Sequence, residues 1–121
     1  LVATVDPTNP ESPCLLLYPE AEWQPIAQKL EKMSSLTNPQ LRALPRWLLG
    51  NAEALEIDKN GRVLLSANLR QRGGLNKEVV LVGQGRKFEL WDKARWDQVV
   101  MEQAIDFASL QGLPELEGFS M

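Results

Sequence analysis

The sequence predicts an α+β fold built from two repeated units, and three observations carry that expectation. LLLYPEAEW (15–23) aligns with FELWDKARW (88–96) at a constant offset of 73, matching Leu17 with Leu90, Tyr18 with Trp91, Ala21 with Ala94 and Trp23 with Trp96. Four matches at one constant offset within nine positions mark an internal repeat. In each repeat, short apolar runs with strand character lead into a segment of helical periodicity. The chain has 121 residues, 44% hydrophobic and 24% charged, a size and balance suited to one domain or two very small ones.

The elements follow in order. LVATV (1–5) reads as a strand standing where EVVLV (78–82) stands in the second repeat, and CLLLY (14–18) as its partner. The connection between them, DPTNPESP, is longer than its counterpart GQGR and holds three prolines, which excludes a regular hairpin turn. A helix is expected from Ala21 to Met33. Asn38 and Pro39 suit the N-cap and first position of a second helix through Leu49, ending near Gly50, with a kink or early break at Pro45. Strands are expected near 53–57 and 62–65, a short helix from Ala67 to Arg72 stopped by Gly73 and Gly74, strands at 78–83 and 86–91, and a helix from Lys93 to about Leu110. In that last helix Trp96, Val99, Val100 and Ala104 keep helical spacing and read as core or interface. The second repeat carries a part before its strands, ALEIDKNGRVLLSANLRQRGGLN (54–76), whose counterpart by the same offset would lie before Leu1. The first unit is therefore expected to lack its N-terminal strand, turn and short helix.

Charge and residue inventory narrow the chemistry. The net charge of -3 hides a segregation: residues 58–96 hold nine basic and four acidic side chains, while 97–121 hold none and five. A basic segment with a tight turn suits phosphate, and a solvated surface with a compensating tail is the plainer reading. There is no histidine, and one cysteine, Cys14, cannot form an internal disulfide or by itself build a metal cluster. No apolar run reaches the roughly 20 residues of a membrane span, and LVATVDPTNP lacks the features of a secretory signal. Neither a catalytic residue, a cofactor nor a small-molecule substrate is expected: Glu20, Glu22, Asp92 and Asp97 sit near helix starts, where the helix dipole favours acids, and form no recognisable constellation.

IDKNGRVLL (57–65) is the stretch with most chemical content. Asp58 can accept hydrogen bonds from amides two residues on, Asn60 tolerates a left-handed backbone and Gly61 supplies positive φ without steric cost. Arg62 leaves this turn beside a strand edge. Its planar fork can pair with Asp58 inside the domain, or grip phosphate and the edge of guanine.

CLLLYPEAEW (14–23), NPQLRALPRWLLGNA (38–52), DKNGRVLL (58–65) and ANLRQRGGLNKEVVLVGQGRKFELWD (67–92), in this order, resemble the MraZ family of transcriptional regulators built from two SpoVT/AbrB-like units. The resemblance implies a pseudo-dimeric β-barrel of swapped hairpins with flanking helices, residues 1–50 being the remainder of a truncated first unit and 51–121 the second unit with its C-terminal helix and tail. It further implies a bacterial, cytoplasmic and nucleoid-associated protein that binds double-stranded DNA at TGGG-like promoter repeats. Such a protein controls the division and cell-wall gene cluster and assembles into a homo-oligomeric ring. Each unit of the family carries an Asp-x-x-x-Arg signature, which Asp58 and Arg62 supply here. Arg62 is then the expected DNA contact, Lys59 and Asn60 neighbours on phosphate or sugar, Asp58 the shaper of the turn, and Arg70, Arg72 and Lys77 candidate phosphate contacts. The chain departs from the family pattern at Ser66 and Ala67, where proline is usual, and at Pro45. A structural ring subunit or an antitoxin-like protein-interaction module is the alternative.

Tyr18, Trp23, Trp91 and Trp96 occupy equivalent places in the repeat and read as core rather than as stacking platforms. Trp47, Leu48 and Leu49 read as a further apolar group suited to core or subunit contact.

Overall fold

The computed structural model describes residues 1–8, 10–101 and 105–119. Five strands form one antiparallel sheet: β1 (Val2–Val5), β2 (Leu15–Tyr18), β3 (Glu53–Ala54), β4 (Val79–Gly83) and β5 (Phe88–Asp92), in the order β3-β1-β2-β5-β4. Helices α1 (Glu20–Met33) and α2 (Pro39–Gly50) cover one face, and α3 (Ala67–Arg72) lies on the other.

Strand alternation sorts the core into two layers. Val2, Cys14, Leu16, Tyr18 and Trp91 point to α1 and α2, meeting Trp23 and Leu30. Ala3, Val5, Leu15, Leu17 and Leu90 point the opposite way, under Leu55 and Leu69. The aromatic expectation holds. Tyr18 and Trp23 pack at 5.5 Å between ring centroids, and their counterparts Trp91 and Trp96 at 6.1 Å, so the repeat is kept as a tilted aromatic pair.

The seam between β2 and β5 carries the symmetry of the repeat. Leu15 pairs with Leu90, Leu16 with Glu89 and Leu17 with Phe88. At an offset of 73, Leu16 and Glu89 are equivalent positions and the two outer pairs exchange. A pseudo-twofold axis therefore passes through the Leu16–Glu89 pair, normal to the sheet. The outer strands obey it with a correction to the sequence alignment. Ala3 faces Leu17 and Leu81 faces Leu90, so β1 corresponds to β4 at an offset of 78, one residue beyond the LVATV–EVVLV match. A one-residue slip exchanges the faces of a strand, which matters for what lies over β4.

Several elements differ from expectation. Pro45 does not break α2, which is continuous from Pro39 to Gly50. The amide hydrogen bond that Pro45, having no N–H, cannot donate to the Leu41 carbonyl is offset by tertiary anchors: the Thr4 hydroxyl donates to Leu48 O at 2.6 Å and the Trp47 indole donates to Val5 O at 3.1 Å. The strands expected at 53–57 and 62–65 shrink to Glu53–Ala54, because the arms of the turn find no further neighbour to pair with and leave Leu64 89% exposed. The sheet consequently remains open, with β3 and β4 at its edges, rather than closing into the barrel that the resemblance implies. The expected long helix after Lys93 is α4 (Lys93–Arg95), a π-helix (Trp96–Val100) and, further on, α5 (Phe107–Leu110), residues 102–104 lying outside those described. Adjacent Val99 and Val100 favour helix weakly, and the exposed Met101 and Ile105 have little to pack on. A 3-10 turn (Pro114–Leu116) follows.

Candidate nucleic-acid interface

The signature turn is built by one carboxylate. Asp58 Oδ1 accepts from the Asn60 amide at 2.8 Å and from the Arg62 amide at 2.8 Å. The Gly61 amide donates to Asp58 O at 3.0 Å and the Asp58 amide to Arg62 O at 2.9 Å, closing the loop. Gly61 holds φ at 77°, a region in which a side chain would be strained. All five residues from Asp58 to Arg62 are exposed.

These bonds discriminate between the two readings of Asp58. Its carboxylate turns to backbone amides, and the Arg62 guanidinium makes neither an ion pair nor a hydrogen bond among the described residues. The Asp therefore shapes the turn while the Arg stays free at its rim, as a donor fork with no intramolecular acceptor among those residues.

Strand direction fixes where the turn points. β3 runs past Val2 toward Leu1, and the chain continues from Leu55, whose amide donates to Leu1 O at 2.7 Å, into the turn. The turn thus leaves the sheet at the end where β1 and β5 begin and β2 and β4 finish. The other predicted cations lie elsewhere. Arg72 places its guanidinium 5.7 Å from the centroid of the Trp47 ring and lines a cleft with Val5 and Asp6, at the opposite end of the sheet. Lys77 lines a second cleft with Asp92 and Lys93, also at that end. Arg70 is exposed on α3. The structure therefore brings Asp58, Lys59, Asn60 and Arg62 together and separates them from Arg72 and Lys77.

Two groupings were not legible from residue spacing. Asp6, Cys14 and Glu89 bring their donor atoms within 4.8 Å of one another although they come from three separate segments. The Cys14 thiol donates to Asp6 Oδ2 at 3.6 Å, and burial first, then the nearby Asp6 and Glu89 carboxylates, push it far above the ordinary thiol range. It is held as a protonated core thiol, the opposite of an activated nucleophile. The second grouping is Lys29, Arg86 and Lys87, which line one cleft between α1 and the β4–β5 connection.

Fold and site together define a class: a two-repeat α+β protein that presents an acid-shaped, arginine-tipped turn at one end of an antiparallel sheet. Comparison with known proteins identifies its family. Residues 48–111 match the family described as "MraZ protein, putative antitoxin-like". A protein of Nitrosomonas europaea named transcriptional regulator MraZ is 51% identical over 121 residues, covering all of this chain and 78% of the relative. The proteins of the same name from Nitrosospira multiformis and Shewanella piezotolerans are each 54% identical, covering 100% of this chain and 78% of the first relative, and 87% of this chain and 66% of the second. The chain belongs to the MraZ family.

Proposed function

We propose that this chain is a DNA-binding transcriptional regulator, acting on promoter repeats of the bacterial division and cell-wall gene cluster as a ring-shaped homo-oligomer in the cytoplasm, at the nucleoid. The observation that carries the reading is the Arg62 guanidinium, exposed and unpartnered among the described residues on a turn whose own acid is engaged by amides. An arginine so held suits bidentate contact with guanine, and Lys59 and Asn60 beside it suit phosphate and sugar. The names of the relatives support the regulatory role. Arg70, Arg72 and Lys77 remain phosphate candidates, those at the far end of the sheet serving a different stretch of duplex. A ring presenting several such turns would sum weak contacts over repeated sites, which reconciles DNA affinity with a net charge of -3.

The finer fold assignment is also proposed: residues 1–50 and 51–121 belong to two units of a swapped-hairpin pseudo-dimer. Its support is the pseudo-twofold. In the first repeat, Ala3 (0% exposed), Leu15 (0%) and Leu17 (7%) lie under Leu55 and Leu69, supplied by the second unit. Two of their three counterparts are uncovered, Leu81 at 57% and Phe88 at 39%, and Leu90 alone is buried. A strand, turn and helix like 53–72, laid on β4 by the same symmetry, would complete the barrel.

The direct test of function is fluorescence anisotropy on a duplex carrying TGGG-type repeats, titrated at several salt concentrations. Affinity should fall steeply with salt and exceed that for a scrambled duplex. Assembly without any such affinity would favour the structural ring subunit or the protein-interaction module, a reading that the antitoxin-like family description supports.

A further inference from the structure

The β4–β5 connection carries chemistry that the signature turn does not use. Residues 84–87 form a hairpin turn closed by the Gln84 amide donating to Lys87 O at 2.8 Å. Gly85 holds φ at 78° with open space where a Cβ would stand. Arg86 and Lys87, with Lys29 from α1, line a cleft of about 560 Å³ against Tyr18 and Ile26. Glu22 is the one carboxylate lining it, and none of the three cations joins an ion pair among the described residues. The cleft is therefore a net cationic concavity with a glycine at its lip.

The repeat supplies an internal control. The equivalent connection in the first repeat, 6–13, has no lysine or arginine; it is closed by the matching backbone bond, the Asp6 amide donating to Cys14 O at 3.0 Å, and is bridged in addition by Arg95, whose Nη1 donates to Glu11 O at 2.7 Å. Arg95 occupies the position of Glu22 at the offset of 73. The same junction, the loop of one repeat against the first helical turn of the other, is thus bridged internally in one case and left open and basic in the other.

Direction gives that cleft a ligand. β4 ends and β5 begins at the sheet end from which the 58–62 turn also projects. Along the sheet, β3, which leads to the turn, lies three to four strand spacings, about 14 to 19 Å, from β5 and β4, which carry the hairpin. A duplex seated across this end of the sheet presents phosphates on either side of the groove that the turn enters, so turn and hairpin can face one duplex.

We infer that Lys29, Arg86 and Lys87 form a second, sequence-independent contact, gripping the phosphodiester backbone of the same duplex whose bases Arg62 reads. The inference rests on the DNA-binding reading of the signature turn. Gly85 admits close approach of a phosphate to the hairpin backbone, and the three cations release counterions on contact.

The test is a full-chain variant carrying Lys29→Gln, Arg86→Gln and Lys87→Gln, with circular dichroism to confirm the fold, beside Arg62→Ala. Each is titrated with a repeat-bearing duplex and a scrambled duplex across salt concentrations. The triple variant is expected to show a shallower plot of log affinity against log salt, by about 0.9 for each phosphate it no longer neutralises. Its affinity should fall in equal proportion on both duplexes, leaving the specificity ratio intact, whereas Arg62→Ala should lower that ratio. A triple variant with the parental slope, in a parent that binds, overturns the inference alone. A parent with no salt-dependent affinity for either duplex overturns the reading of the signature turn, and the inference with it.

Discussion

At the scale of single residues, Asp58 and Arg62 divide the labour of the turn between them. Asp58 acts through one oxygen that two amides share. Asparagine keeps such an oxygen and alanine does not. Asp58→Asn is therefore expected to retain DNA affinity within about a factor of two, and Asp58→Ala to lose about 1 kcal/mol or more of turn stabilisation, with a matching loss of affinity. Equal losses in both variants would show that the charge of Asp58, rather than its hydrogen bonds, matters. Cys14 gives a second residue-scale prediction. Its thiol is raised well above the ordinary value of 9.0 by burial, Asp6 and Glu89, so the folded state keeps the proton that the unfolded chain releases as pH climbs past about 9. The stability this group contributes is complete below that pH and declines above it. Chemical denaturation at pH 7.5 and pH 10 should show a loss that Cys14→Ala diminishes. Nothing in the spacing of Asp6, Cys14 and Glu89 announces their meeting, because it depends on the β2–β5 pairing of residues far apart in the chain.

At the scale of elements, short-range chemistry was readable and pairing was not. Asn38 accepts from the Gln40 amide at 2.9 Å and Ser66 from the Leu69 amide at 3.1 Å, so the starts of α2 and α3 follow local capping. The arms of the signature turn have apolar, β-branched residues and would be strands beside a neighbour. Ile57 and Leu64 instead face solvent, and strand character depends on that neighbour. The end of α3 is set by close approach. A Cβ on Gly73 would stand 2.8 Å from Leu15 Cγ and Cδ2 and 3.0 Å from Leu69 O. Gly73→Ala should cost about 1–3 kcal/mol, measured as a lowered urea midpoint with unchanged slope. An unchanged midpoint would mean that the end of α3 does not pack against Leu15 of β2 as described.

For the whole molecule, the repeat was legible because its aromatic residues keep their spacing, and the pseudo-twofold follows from it once the strands pair. The one-residue shift between β1 and β4 was hidden by the unequal loops, 6–13 against 83–86. The exposed strip of Val79, Leu81 and Phe88 should bind a hydrophobic dye, and Leu81→Lys should reduce dye fluorescence without lowering stability by more than about 0.5 kcal/mol. Undiminished dye binding would place the accessible apolar surface elsewhere. The proposed function rests on a narrower point, an arginine held at the rim of a turn with no partner among the described residues. The most direct measurement is the affinity of Arg62→Ala for a repeat-bearing duplex at fixed, moderate salt. A loss of about 1–3 kcal/mol, with discrimination against the scrambled duplex relaxed, is the predicted result. Parental affinity and parental discrimination in that variant would contradict a role for Arg62 in reading DNA.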